Sequence, residues 1–329
     1  MLVAFIYYVG VNTVVRILLS VSPLVVLFMV MLQLCSFVFY ASAWYILIRA
    51  AGYKMPFVTC QGISFASIFM SYTTPSGIFL EATRCILGSR ETGMKLGEAT
   101  ATVILHRILY IIGFLATTAL ALLALLSVGS MPFATLLELA VIPVSAVAGL
   151  IILLYLSFDP KKIQPLLDRF LKFAQPIVRL IQKEATTEGK ASQFLQEYQM
   201  SFRKMLTSKR QMFLSLLASV GDWGCSVAIL WIVLIAMGTN ASIWVVMITM
   251  AIGKMIQMTP IAVPGMIGIY EAAITTTLVL LSIPVSIAVS AALLSRIVTF
   301  WLELPVTGIA AYHYGVKLVS HGSGSILTV

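Results

Sequence analysis

Among the ionisable side chains inside apolar stretches, the candidates are Glu81, Arg84, Arg107, Asp222, Lys254, Glu271, Arg296 and Glu303. A charge at the centre of a bilayer costs at least about 2.5–3.5 kcal/mol on insertion scales, so each must face a partner or a wet cavity. The chemistry these residues offer is anion binding. An arginine presents a planar fork matched to a phosphate diester. Half-helices beginning after Pro75 and Gly77, and after Pro264 and Gly265, would add free N–H groups and a positive dipole end. The expectation is that Arg107 and Arg296, with those backbone ends, hold a phosphate near the membrane midplane. Glu81 and Glu271 would orient the arginines or meet a cationic part of the ligand.

A second reading stands beside the first, in which Glu81–Arg107 and Glu271–Arg296 are structural ion pairs. Arg84 either joins the site or snorkels to the membrane surface. Lys254 and Asp222 either pair with each other or face the ligand. His106 should point away from the face of Arg107 and reads as structural. The chain contains no HExxH, GxSxG, Walker or GxGxxG pattern, so no catalytic residue, metal or cofactor is expected.

The elements that must position these groups follow from composition. Of the 329 residues, 60% are apolar and 10% charged, and the mean hydropathy is +1.03. A soluble domain carries about 25% charge. A soluble globular enzyme, a disordered chain and a disulfide scaffold are excluded, and the fold class is an all-α polytopic membrane protein. The four cysteines, Cys35, Cys60, Cys85 and Cys225, lie in apolar runs without CxxC spacing and read as small core residues.

A bilayer core needs about 20 helical residues per crossing. Runs of that size fall at 1–21, 23–48, 97–127, 134–156, 211–237 and 285–316. Two further apolar stretches, 57–88 and 242–282, are interrupted by Thr73-Thr74-Pro75-Ser76-Gly77 and by Thr259 to Gly265. Broken backbone in hydrocarbon is tolerated only inside protein or against a wet cavity. Both stretches therefore read as re-entrant hairpins of two half-helices, added to about six full spans.

Residues 159–210 form the one soluble excursion, with 11 of the 21 basic residues. Ile163 to Ile181 and Phe194 to Leu206 carry apolar residues at helical spacing, so two amphipathic helices at the membrane surface are expected rather than a nucleic-acid patch. The chain thus divides into a membrane half (1–158), this excursion (159–210) and a second membrane half (211–329). The positive-inside rule puts the excursion, Arg49, Lys54, Arg90 and Lys95 on the cytoplasmic side, together with both termini. The turns near Ser22, Gly129–Met131, Gly238–Ala241 and Ser282–Pro284 contain no Lys or Arg and fall on the other side.

The two halves also correspond. Pro75 and Arg107 are 32 residues apart, as are Pro264 and Arg296, and each arginine sits in Leu-x-Arg-Ile. Each proline is followed six or seven residues later by an acid, Glu81 or Glu271. With the spans placed as above the copies run in opposite directions. Inverted repeats with broken helices at their interface are a transporter architecture.

The blocks Pro-Ser-Gly-x-x-x-Glu-Ala-x-Arg (75–84), Leu-His-Arg-Ile, Val-Pro-Gly-Met-Ile-Gly-Ile-Tyr-Glu-Ala (263–272) and Leu-Leu-Ser-Arg-Ile resemble the lysylphosphatidylglycerol synthase membrane-domain family. The likeness is to the flippase portion of the multiple peptide resistance factors and their stand-alone relatives, and it covers nearly the whole chain. It implies translocation of a lipid with a polar head group, such as an aminoacylated phosphatidylglycerol or a polyprenyl-linked glycan. Without the soluble aminoacyltransferase domain of bifunctional members in these 329 residues, a stand-alone member is expected and lysyl transfer is not implied. The expected partners are membrane lipids with an anionic or phosphate-bearing head group, and a separate transferase. The expected location is the plasma membrane. Two alternatives to a flippase are a membrane subunit that positions such a transferase, and an intramembrane enzyme using Glu81 and Glu271 as acid and base.

Overall fold

The computed structural model describes residues 11–74, 78–128, 187–258 and 263–323, with 141, 144–145, 147–152 and 154–155. Pro75 and Gly77, most of the expected span 134–156, and residues 159–186 of the excursion lie outside them. The described elements are all helical: α1 (Val11–Ser20), α2 (Pro23–Ala51), α3 (Phe57–Thr73), α4 (Ile78–Thr92), α5 (Leu96–Val128), α6 (Thr187–Thr207), α7 (Lys209–Ala236), α8 (Ile243–Met258), a single 3-10 turn (Pro264–Met266), α9 (Ile269–Leu280), α10 (Val285–Arg296), a π-helical turn (Ile297–Trp301) and α11 (Glu303–Ser323). No strand occurs among the described residues.

Among the described residues, four segments are long and apolar enough to cross a bilayer: α2, α5, α7, and α10 continued through the π turn into α11. Their bounds follow from local chemistry. Ser22 Oγ accepts the Leu24 N–H at 3.3 Å and Pro23 opens α2 at its first turn, where a missing N–H costs nothing. Gly52, at φ 98°, closes it in the left-handed conformation. Thr74 turns extended and ends α3 just before Pro75, as the residue preceding a proline must. The two apolar stretches with interruptions are each split where the prolines stand, into α3/α4 and α8/α9.

The most extensive pairing among the described helices is α2 against α7. Phe114 of α5 and Trp223 of α7 meet edge to face at 5.2 Å inside the larger core cluster. Lipid tails are as apolar as leucine, so helix association here rests on close packing and interhelical hydrogen bonds rather than on hydrophobic burial. Trp44 Nε1 donates to Thr102 Oγ1 at 3.0 Å, and Ser215 Oγ donates to the Ala43 carbonyl at 2.9 Å.

Helix α6 lies across one end of this bundle. Its buried stripe is Leu195, Tyr198, Phe202 and Met205. Lys204 Nζ donates to the terminal Ala51 carbonyl of α2 at 2.8 Å, and Lys95 pairs with Glu197 at 3.2 Å. Gly97 lies so close beneath α6 that a Cβ would stand 2.4 Å from the Phe194 carbonyl oxygen. The turns 52–56 and 93–95 therefore share an end of the molecule with α6. Helix α7 leaves from that end and runs 28 residues, about 42 Å at 1.5 Å per residue, to the turn at 237–242.

Candidate functional site

Each half contributes an acid and an arginine, and in each half the two are paired. In the first, Glu81 is shared: Oε1 lies 3.2 Å from Arg107 Nη2 and Oε2 lies 3.2 Å from Arg84 Nη1. Glu81 and Arg84 are one helical turn apart on α4, a spacing at which side chains meet. Arg84 does not reach the membrane surface. It is 1% exposed, with its guanidinium 4.4 Å from the Trp44 ring and 5.1 Å from the Tyr40 ring. It also donates to the Tyr40 hydroxyl at 3.2 Å and to His106 Nδ1 at 2.9 Å. Because a guanidinium has no lone pair to offer, Nδ1 must be the acceptor. His106 thus helps to fasten Arg84, which a structural reading of His106 anticipates in kind though not in partner.

In the second half, Arg296 Nε lies 3.0 Å from Glu271 Oε1, off the hydrogen-bond axis, and Nη2 donates to the Gly265 carbonyl. Its guanidinium is also 4.2 Å from the Phe300 ring and 4.9 Å from the Tyr270 ring. The side chain is 3% exposed. The backbone here is shaped for this contact. Gly265 adopts φ 59°, and a Cβ on it would stand 2.6 Å from Phe300. Met266 follows at φ 50°, a conformation that L-residues adopt at a cost. The N-terminus of α9 does not offer all its N–H groups to a ligand, because Glu271 Oε2 reaches back and accepts from Gly268 N at 2.7 Å. The acid thereby takes one place that the sequence reading kept for a phosphate.

Between the halves is a cavity of about 210 Å³. Helices α2, α3, α4, α5, α7, α8, α9, α10 and α11, the turn at Pro264–Met266 and the π turn all line it. Its charged lining is Glu81, Arg107, Asp222, Lys254, Arg296 and Glu303. Arg107 is 32% exposed and faces this space. Gly265 borders it as well, whereas Arg84 and Glu271 stand behind the wall. Lys254 and Asp222 are not within ion-pair distance of each other. Asp222 accepts from Ser36 Oγ, and the Lys254 ammonium lies 5.5 Å from the Tyr110 ring. Among the described residues no carboxylate pairs with Lys254. Among the described residues Glu303 has only neutral donors, Gln33 Nε2 at 2.6 Å and the Tyr72 hydroxyl.

Sequence reasoning missed the neutral members of this site: Gln33, Ser36, Tyr40, Tyr72 and Tyr110. Gln33 is the one whose signal was available, as the sole amide side chain in the apolar run of α2. The tyrosines carry no such mark, because a tyrosine is ordinary at a membrane interface. The expected symmetry of the two arginines is not what the geometry has. Arg296 is consumed by its contacts with the protein, and Arg107 is the one open to the cavity.

The chain matches the family model described as the lysylphosphatidylglycerol synthase TM region over residues 1–306. It is also similar to a UPF0104 membrane protein of Pyrococcus horikoshii, 23% identical over 321 residues, covering 95% of this chain and 94% of that one. A UPF0104 membrane protein of Methanothermobacter thermautotrophicus is 20% identical over 324 residues, covering 95% of this chain and 90% of the relative. The chain belongs to the lysylphosphatidylglycerol synthase TM-region family.

Proposed function

We propose that this member of the lysylphosphatidylglycerol synthase TM-region family is a lipid carrier that moves a phosphate-bearing lipid across the bilayer, with the head group held in the central cavity by Arg107 and Lys254. The observation that carries the reading is the Lys254 ammonium, which lines a cavity inside the bundle without a carboxylate partner among the described residues. A cation without an ion-pair contact at that depth is expensive unless an anion or water meets it. A phosphate diester between Lys254 and Arg107 supplies that anion.

Glu81 makes the exchange affordable. Arg107 can leave Glu81 Oε1 for a phosphate while Arg84 stays on Oε2, so the acid keeps a cation throughout. In the second half Glu271 and the Gly265 carbonyl keep Arg296 in place, and it contributes positive potential rather than a grip. Two broken helices flank the cavity, and their half-helices are the segments whose rocking would open it to one leaflet and then the other. The opposed halves read as an inverted duplication, and the basic end with α6 as the cytoplasmic face of the plasma membrane.

The test is reconstitution of the whole protein into phosphatidylcholine vesicles with a trace of fluorescent phosphatidylglycerol, scored by quenching of outer-leaflet label. Lys254→Met and Arg107→Gln should each slow movement of the labelled lipid at least tenfold, with the lipid recovered chemically unchanged. Chemically altered lipid would make the protein an enzyme. Absence of movement by the unaltered protein, or full movement by Lys254→Met, would refute the carrier reading.

A further inference from the structure

We propose that Glu303 is a proton-binding site linked to the head-group site, so that an anionic lipid and a proton bind to this carrier together. The inference rests on the cavity being the head-group site and adds to it the source of coupling.

Glu303 is 5% exposed, stands two residues beyond the π-helical turn, and borders the same cavity as Lys254 and Arg107. The π turn closes with the Leu302 N–H on the Ile297 carbonyl at 3.0 Å, a local irregularity of the kind that recurs at functional sites. The groups that face the carboxyl come from every wall. Gln33 of α2 and Tyr72 of α3 touch it. Asp222 of α7, Lys254 of α8 and Arg296 of α10 lie within electrostatic reach but, among the described residues, no cation is within ion-pair distance. Its immediate partners are thus neutral, which is a poor setting for a permanent charge in a bilayer.

The surroundings satisfy both protonation states. With Glu303 ionised, Gln33 donates to Oε1 and the Tyr72 hydroxyl donates to Oε2. With Glu303 protonated, the proton on Oε2 can be donated to the Tyr72 oxygen, and the Tyr72 hydrogen turns to the Thr299 carbonyl, which stands 3.4 Å away. A hydroxyl can serve in either role because it is donor and acceptor at once. No side chain has to move and no group is left unpaired. The step conserves charge: the proton enters from water with the head group and leaves with it, so a lipid monoanion and a proton cross as a neutral pair.

Linkage fixes the sign. An anion in the cavity adds negative charge near Glu303 and favours its neutral form, so protonation must strengthen anion binding by the same factor. Coupling of this kind is typically about 5–150-fold in affinity. The experiment measures binding of fluorescent phosphatidylglycerol to the full chain in phosphatidylcholine nanodiscs from acid to alkaline pH, with infrared detection of a protonated carboxyl. The unaltered protein should lose affinity as pH rises. Glu303→Gln, which keeps the acceptor and mimics the neutral state, should bind tightly with no pH dependence and should lack the carboxylic-acid band. Tyr72→Phe removes a donor to the ionised form and should move the transition to higher pH.

A carboxylic-acid band unaffected by Glu303→Gln, or retained pH dependence in that variant, overturns the proposal. Loss of both with Asp222→Asn instead reassigns the proton and overturns it equally. Inorganic phosphate is run in parallel. Proton-linked binding of phosphate but not of the lipid keeps the proton site and refutes the lipid reading, which separates the two failures.

Discussion

The unequal use of the two arginines can be tested on stability alone, without a substrate. Glu81→Gln removes the carboxylate from two arginines at once. Arg84, 1% exposed and packed between Trp44 and Tyr40, is then a buried cation with neutral partners and no carboxylate. Breaking a buried pair by removing one member costs about 3–5 kcal/mol, most of it the uncompensated charge. Arg107→Gln takes away the other contact of Glu81, yet Arg84 still neutralises that acid and the lost guanidinium was 32% exposed to a cavity. The expected cost is that of a solvated pair, about 0–1 kcal/mol. The assay is equilibrium unfolding of the purified protein in mixed micelles, with Glu81→Gln expected to be at least about 2 kcal/mol less stable than Arg107→Gln. Equal destabilisation by the two substitutions would show that Arg107 is as much a structural group as Arg84, and the exchange on which the carrier reading depends would fail.

The other expectations concern backbone, docking and orientation. Gly265→Ala forces a Cβ into the left-handed region, about 1–2 kcal/mol, and against Phe300, about 1–3 kcal/mol of overpacking; a companion Phe300→Leu should restore part of the loss in the same unfolding measurement, whereas strict additivity would contradict the contact. Gly97→Leu cannot fit beneath Phe194 of α6 and should leave the chain folded in the membrane but raise its rate of proteolytic cleavage around residues 187–207; unchanged cleavage would refute the docking. A membrane-impermeant maleimide should label Arg90→Cys and Asn240→Cys from opposite faces of the bilayer, with Arg90→Cys on the cytoplasmic one; labelling from one face would overturn the orientation.

The features legible in the sequence were those set by short-range chemistry. Prolines with apolar flanks marked where α3 gives way to α4 and α8 to α9, because a proline lacks the N–H that continues a helical ladder. The 32-residue spacing from each proline to its arginine, and the acid six or seven residues after the proline, led to Glu81–Arg107 and Glu271–Arg296, and both pairs are present. What the sequence could not supply was the way helices cross. Glu303 meets Gln33 across 270 positions and Tyr72 across 231. Arg84 had two destinations of similar energy, the surface and the interior, and the choice is made by Trp44 and Tyr40 on a different helix. Lys254 and Asp222 looked like partners as two opposite charges in apolar runs, but Ser36 takes the acid and leaves the ammonium to the cavity.

The two halves share an acid–arginine pair but do not hold it alike. In both halves an acid faces an arginine, but the acid's other oxygen has a different partner: Arg84 in the first half, the Gly268 N–H in the second. A second cation lets Glu81 release Arg107 and remain neutralised. A backbone N–H carries no charge, so Glu271 must keep Arg296. On the carrier reading proposed above, the half that can let go would supply the moving contact and the half that cannot a fixed field. It follows that putting a cation beside Glu271 should loosen Arg296, and Ile267→Lys, in the turn just before Gly268, is the substitution that would attempt it. If the argument holds, Arg296→Gln should cost about 3–5 kcal/mol in the native background, where it strands a buried acid, and measurably less in the Ile267→Lys background. Equal costs in the two backgrounds would show that the second partner of the acid does not govern which arginine is free.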